Sequence, residues 1–295
     1  MTGERNRMSN QEQDLTATIM TDSEFFRIGE FIQRQCGIKM SLSKKTMLQT
    51  RLSKRLHRLC LSSYSEYADF VIRNRGNGEE LYHMIDAVTT NKTDFFREPN
   101  HFEFLSSSVL SSSPVSGGTT WTKTMKFWSA GCSTGEEPYT LAMVLAEHAL
   151  AQPQFRFSIL ATDISTKVLH LAEQAVYLHD KIQPVPIPMR KKYLLSSKDR
   201  KLVRICPELR SRVSFFRLNF MDSDYALKDK MDVIFCRNVI IYFDRSTQQA
   251  ILERLCRHLL PGGYLFMGHS ETLNGMNLPL QPVAATIYRK SHENA

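Results

Sequence analysis

From Asp22 to Val88 the apolar residues return every three or four positions: Phe25, Ile28, Phe31 and Ile32, then Leu48, Leu52, Leu56 and Leu59, then Tyr64, Tyr67, Phe70 and Val71. After a break at Gly76-Asn77-Gly78 the period resumes with Leu81, Met84, Ile85 and Val88. This repeat marks helices that bury one face, so a small all-α unit is predicted. Beyond Val88 the pattern changes. Strand-like runs alternate with helical ones: MKFWSA before a helical stretch at 138–150, FSILAT before another at 166–176, then VSFFRL, DVIFC, a helical stretch at 246–260, YLFMG and ATIYRK. Strands separated by helices predict βαβ units and a largely parallel, doubly wound sheet.

The expected organisation is a tail at 1–21, an all-α domain at 22–90, a linker with a connecting helix and loop at 91–124, and an α/β domain at 125–295. The linker closes on a serine-rich loop, SSSPVSGGTT (111–120). One region interrupts the alternation. QPVPIPM (183–189) has prolines at every second position and reads as extended, outside any sheet interior. With RKLVRIC after it, residues 179–211 are expected to form a small antiparallel β-subdomain inserted in the larger domain. HLLPGGYLF (258–266) reads as a helix stop, a tight turn and a strand.

Composition narrows the function classes. The net charge of +8 favours acidic partners: nucleic acid, anionic lipid or an acidic protein surface. The six cysteines are scattered, with no C-x-x-C and no paired Cys/His spacing, which argues against a zinc site or a disulfide framework. The polar N-terminus and the lack of any apolar run of about 18 residues lead to the expectation of a soluble cytoplasmic protein without membrane insertion.

The candidate chemistry begins at FWSAGCSTGEEPY (127–139), a glycine loop between a strand and a helix. It is neither the G-x-x-x-x-G-K-[ST] of nucleotide hydrolases nor the G-x-G-x-x-G of dinucleotide enzymes, and GHSET (268–272) does not complete a G-x-S-x-G elbow. Ser133-x-x-Glu136 and Thr134-x-x-Glu137 both fit a capping box. With Thr134 as cap, however, Pro138 falls where the first intrahelical N–H is needed, so the helix is expected to begin later and leave a glutamate in the loop. Carboxylates in place of a phosphate cradle point to a cationic nucleoside, and S-adenosylmethionine has an adenosine, a sulfonium and an ammonium group. Asp163, 28 residues after Gly135, stands where α/β nucleoside sites place an acid for ribose hydroxyls; it could equally cap the next helix, as could Ser165. Asn219, Phe220, Arg237 and Asn238 follow strands and fall on the same carboxyl-end edge.

Five segments, TTNKTDFFRE (89–98), SAGCSTGEEPY (129–139), ATDIS (161–165), FCRNVIIYF (235–243) and GHSE (268–271), resemble the motif series of the chemotaxis receptor glutamate methyltransferases in order and approximate spacing over residues 22–290. The resemblance implies a Rossmann-like class I methyltransferase domain with a β-subdomain insertion, preceded by the all-α domain. It implies methyl transfer from S-adenosylmethionine to glutamates on the cytoplasmic helical bundle of chemoreceptors, with S-adenosylhomocysteine as product. Carried over by motif, the cofactor contacts are Asn91, Thr93, Arg97, Glu136 or Glu137, Asp163, Asn219, Phe220, Arg237 and Asn238. Arg97 and Tyr242 are the catalytic candidates: Arg97 to orient the substrate carboxylate, Tyr242 either to donate a hydrogen bond to it or to shape the pocket as a core aromatic. No metal is expected.

Residues 39–58 hold seven Lys or Arg and no Asp or Glu, with Lys44, Arg51, Arg55 and Arg58 on one helical stripe. The stripe is expected to dock against an acidic receptor bundle; nucleic acid is disfavoured because no exposed aromatics interleave it. Family members that tether to a receptor C-terminal pentapeptide are glycine-rich in the β-subdomain loop. LLSSKDRKLVR (194–204) has no glycine, so tether-independent recognition by a monomer is expected. The rivals are an RNA methyltransferase, which should carry N/D-P-P-Y where this chain reads CRNVIIYF, and a non-catalytic receptor adaptor that senses S-adenosylmethionine.

Overall fold

The computed structural model describes residues 19–73, 78–111 and 124–292. Residues 1–18 of the proposed tail, most of the serine-rich loop and the Gly76-Asn77 break lie outside the described residues. The chain divides into two compact units, one of residues up to Phe31 with Met40–Val88, the other of Ile32–Lys39 with Thr89 onward.

The all-α unit is built from helices α1 (Asp22–Cys36), α2 (Lys45–Arg58), α3 (Tyr64–Arg73) and α4 (Glu79–Val88). A capping box opens α1: Thr21 N donates to Glu24 Oε2 at 2.8 Å, and Glu24 N donates back to Thr21 Oγ1 at 3.2 Å. Leu48, Leu52 and Leu56 are buried as their spacing predicts, and so are Tyr64, Tyr67 and Val71. Phe70 departs from the pattern and stays exposed at the margin of the α3 stripe, while Leu59, beyond the end of α2, is half-buried.

The basic stripe of α2 is not the uncompensated face that the local sequence suggests. Arg55 Nε donates to Glu80 Oε1 at 2.9 Å and its Nη2 engages Glu80 Oε2, with Tyr67 Oη donating to the same carboxylate at 2.8 Å. Arg51 Nη1 donates to the carbonyls of Ala87 and Val88 at the end of α4, which a cation there also stabilises through the helix dipole. The acid is supplied in space by another helix, which no scan along α2 can find. Lys44 is half-buried in the turn before α2, and Arg58 is exposed.

The second unit contains α5 (Pro99–Phe104), β1 (Met125–Ala130), α6 (Glu136–Ala151), β2 (Phe157–Asp163) and α7 (Thr166–Gln174). Next come β3 (Val176–Leu178), α8 (Ile187–Tyr193), β4 (Leu194–Ser196), β5 (Leu202–Ile205), α9 (Pro207–Arg210) and β6 (Val213–Arg217). It closes with β7 (Met231–Cys236), α10 (Arg245–His258), β8 (Leu259–Met267), β9 (Leu280–Ala284) and β10 (Ile287–Lys290). The main sheet runs β6-β2-β1-β7-β8-β10-β9. Its first five strands are parallel, and β10 and β9 add antiparallel. This is the expected Rossmann-like arrangement. Both faces are covered: Phe127, Phe235 and Phe266 enter one buried cluster, while their neighbours Trp128, Ile234 and Leu265 enter the other, as the two-residue period of a strand requires.

Three local expectations are corrected. The inserted subdomain is a three-stranded antiparallel sheet, β3-β5-β4, and it begins at Val176. The proline run is not an extended segment: Gln183 is helical in backbone and Val185 N donates to Ile182 O at 2.9 Å in a turn, then Pro186 caps α8 and Pro188 sits in its first turn, where no N–H is required. Leu259–Met267 is one continuous strand, its Pro-Gly-Gly absorbed by a register irregularity against β7 rather than by a turn. Strand β9 was not expected. Its Pro282 is tolerated because β9 lies at the sheet edge. Among the described residues, no helix is long and apolar enough to cross a membrane.

With side chains only 13% and 9% exposed, Arg55 and Glu80 form a buried pair. Removing one partner strands the other charge. Glu80→Ala is expected to destabilise the chain by about 3 kcal/mol, read as a lowered urea midpoint, whereas the double replacement Arg55→Met/Glu80→Leu recovers most of the loss. Equal losses in the two variants would show that the pair does not act as a pair.

Candidate active site

The parallel strands β6, β2, β1 and β7 end in register, with Asp163 opposite Arg217, Ala130 opposite Thr162 and Ser129 opposite Phe235. The loops that follow them therefore meet at one edge. After β1 the chain turns sharply: the N–H groups of Gly131 and Cys132 both donate to Thr162 O at 2.8 and 2.9 Å. Gly135 adopts φ 97°, and a side chain there would press within 2.8 Å of Tyr177 Oη. Gly135 is the cap of α6, so Pro138 is the third helical residue and the first bond is Tyr139 N to Gly135 O at 3.1 Å. The helix thus starts at Glu136, earlier than expected, because with this cap the missing proline N–H falls among those a helix start leaves unused.

Both glutamates are thereby held in the first turn of α6. Glu136, 3% exposed, accepts from Thr134 Oγ1 at 2.6 Å through one oxygen. Glu137 is engaged through both, accepting from Ser129 Oγ at 2.7 Å and facing Arg237 Nε at 3.5 Å. Burial pushes both carboxyls above the ordinary range. Thr134 opposes it at Glu136, and Arg237 and Ser129 oppose it at Glu137. Asp163 is not the helix cap. Ser165 Oγ takes that role, accepting from Val168 N, while Asp163 accepts from Ser133 N at 2.9 Å and Ser165 N at 3.0 Å. It thus ties the glycine loop to the end of β2.

Arg237, 6% exposed, is the buried cation of the edge. Its Nε lies 3.5 Å from both Glu98 Oε2 and Glu137 Oε2, and its Nη2 donates to Arg97 O. Nη1 has no acceptor among the described residues. Glu98 caps α5 in the left-handed region at φ 58°, and Phe96 is left-handed too, so Arg97 is held between two strained residues. Burial pushes the Glu98 carboxyl up, but the Arg237 charge, the His269 N–H and the Asn238 amide outweigh it and hold it below the ordinary range.

Glu271 was overlooked in the sequence beyond its place in GHSE. Only 3% exposed, its carboxylate accepts from four backbone N–H groups: Asn238, Val239 and Ile240 at 2.8 Å and Gly268 at 2.7 Å. Burial raises its pKa and these donors draw it back. The clamp fixes Asn238, left-handed at φ 58°, whose amide donates to Glu98 Oε1 at 3.3 Å. A lone acid after a strand carries no signal of such a role in sequence.

The remaining candidates divide. Asn91 joins the cluster through its carbonyl, which accepts from Ser133 Oγ at 3.1 Å, and Thr93 is half-buried on the same segment. Arg97 is half-buried, one Nη donating to Lys92 O at 3.0 Å. Asn219 follows β6, but its amide donates to Gln35 O and its carbonyl accepts from Met221 N. The Phe220 ring is buried in the core cluster with Trp128, edge-on to Tyr225. Tyr242 is half-buried in a turn whose first residue is clamped by Glu271.

Glu271→Gln puts an NH2 where two N–H groups need an acceptor. It is expected to cost about 2–4 kcal/mol and to speed amide exchange at Asn238, Val239 and Ile240. Unchanged exchange at these three would refute the clamp.

Residues 23–89 match the CheR methyltransferase all-alpha domain and residues 91–289 the CheR methyltransferase SAM binding domain. A chemotaxis protein methyltransferase of Borreliella burgdorferi is 37% identical over 92% of this chain and 95% of its own. Another, of Escherichia coli, is 35% identical over 93% of each. An O-methyltransferase family structure from Burkholderia thailandensis covers 68% of this chain and 43% of its own at 15% identity and a TM-score of 0.35, too slight a likeness to add to the assignment. The site fits S-adenosylmethionine: Arg237 Nη1 is a buried donor that the cofactor's carboxylate can meet, and the carboxylates around it match a sulfonium and an ammonium group. The chain belongs to the CheR family of S-adenosylmethionine-dependent chemotaxis protein methyltransferases.

Proposed function

We propose that the chain transfers the cofactor's methyl group to glutamate side chains on the cytoplasmic helical bundle of chemoreceptors, forming glutamate methyl esters. The observation that carries this reading is the buried charge set at the sheet edge, in which Arg97 and Arg237 are joined through the Arg97 carbonyl beside Glu98 and Glu137. Bound S-adenosylmethionine supplies an electrophilic methyl group on sulfur. A glutamate acceptor with a pKa of about 4.3 is already ionised at neutral pH, so no general base is required. The work left to the protein is alignment and exclusion of water. Arg97 orients the incoming carboxylate and Tyr242 donates a hydrogen bond to it.

Of the two glutamates, Glu136 is assigned to the cofactor, because Glu137 already has both oxygens engaged by Ser129 and Arg237. Asn91, Thr93, Asp163 and Asn238 complete the cofactor contacts, with Asn219 and Phe220 shaping the floor. For receptor docking, exposed Arg58 and the turn bearing Lys44 form the contact surface of α2, supported by Arg51 and Arg55, which fix that helix on α4. Recognition proceeds without a receptor pentapeptide tether.

Labelled methyl transfer to a cognate receptor fragment tests the reaction. Base-labile label released as methanol is expected; base-stable label, or label on RNA, would refute it, and cofactor binding without transfer would favour the adaptor. Cofactor affinity carries a pH signature. Because burial raises the Glu136 pKa, its charge is lost as pH falls through a value above the ordinary carboxylate range. Affinity for S-adenosylhomocysteine should therefore fall on acidification in wild type and lose most of that limb in Glu136→Gln.

A further inference from the structure

The Glu98 carboxylate stands beside two imidazoles that the methyl-transfer reading does not use. His101 Nδ1 is 3.5 Å and His269 Nε2 4.0 Å from Glu98 Oε2, and all three ligand atoms lie within 4.8 Å of one another. His101 is 1% exposed, whereas the His269 side chain is half exposed and opens the cluster to solvent.

Thr286 Oγ1 lies 3.0 Å from His101 Nε2 and 2.8 Å from Ala285 O. With its hydroxyl donated to Ala285 O it accepts a ring proton from Nε2, the tautomer that leaves Nδ1 with a bare lone pair for a ligand. Neither Nδ1 nor Glu98 Oε2 has a hydrogen-bond partner among the described residues. In that tautomer two buried lone pairs face each other across 3.5 Å, and a cation between them satisfies both.

We propose that Glu98, His101 and His269 form a binding site for a divalent transition-metal ion of the zinc type, with three protein ligands and an open fourth position. Two imidazole nitrogens and a carboxylate are a donor set zinc takes, whereas calcium and magnesium prefer oxygen alone. The Thr286 hydroxyl plays the outer part that orients a metal-binding imidazole through its other nitrogen. Half-exposed His269 closes the separations by a side-chain rotation.

The site lies against the buried Arg237 cation. Arg237 Nε is 3.5 Å from the same Glu98 oxygen, and Asn238 Nδ2 is 3.3 Å from the other. A bound ion competes with Arg237 for Glu98, so it acts as a brake on the site next to Arg97 and takes no part in methyl transfer.

The test uses the full chain stripped with a chelator, titrated with zinc by calorimetry and with cobalt by visible absorption. One ion per chain is expected, bound at least about tenfold more weakly by His269→Ala and about tenfold more weakly by Thr286→Ala. Both variants should bind S-adenosylhomocysteine as wild type does, which separates loss of the metal site from loss of the fold. No zinc binding by wild type, equal binding by His269→Ala, or a cobalt spectrum with a thiolate charge-transfer band, which would place the ion on a cysteine, overturns the proposal.

Discussion

A guanidinium buried to 6% exposure must be surrounded by acceptors or the fold cannot hold it, and the Arg237 side chain sets that condition here. It stands between Glu98 and Glu137, holds the Arg97 carbonyl, and lies over the rings of Phe102 and Phe235 at 5.4 and 5.8 Å. The partners come from three parts of the chain. Glu98 caps α5, Glu137 lies in the first turn of α6, and Phe235 is on β7. One cation thus fixes the connecting segment, the loop after β1 and the end of β7 relative to each other. The left-handed backbone at Phe96 and Glu98 is retained because these contacts over-determine it.

The charge distribution follows a division of labour. The chain as a whole is basic, at +8, yet the sheet edge gathers Glu98, Glu136, Glu137, Asp163 and Glu271. These acids are not equivalent. Asp163 and Glu271 serve the main chain, accepting backbone N–H groups that shape two loops. Glu98 and Glu137 serve Arg237, and Glu136 keeps an oxygen uncommitted to any side chain. The edge is thus acidic in a chain that is basic as a whole.

Much of this was legible in the sequence where the signal was local. The alternation of MKFWSA and FSILAT with helical runs located the parallel strands, and parallel strands ending together placed Glu136, Asp163, Arg237 and Asn238 on one edge. What failed was anything settled by a partner distant in the chain. The basic stripe on α2 looked uncompensated because Glu80 is on another helix. Pro138 seemed to delay α6 because the cap was assigned to Thr134 instead of Gly135. Phe220 looked like a loop residue, yet its ring belongs to the core with Tyr225. Glu271 has no spacing to betray it, since its partners are backbone N–H groups, and the local Glu98–His101 pair says nothing until His269, 171 residues from Glu98, joins it.

The most direct test of this account is a double-mutant cycle on Arg237→Met and Glu98→Gln, read as unfolding free energy in urea. If the buried guanidinium and the strained Glu98 support one another, the two losses are strongly non-additive, with a coupling of about 2 kcal/mol. Losses that simply add would contradict the account and leave Arg237 as an incidental buried charge.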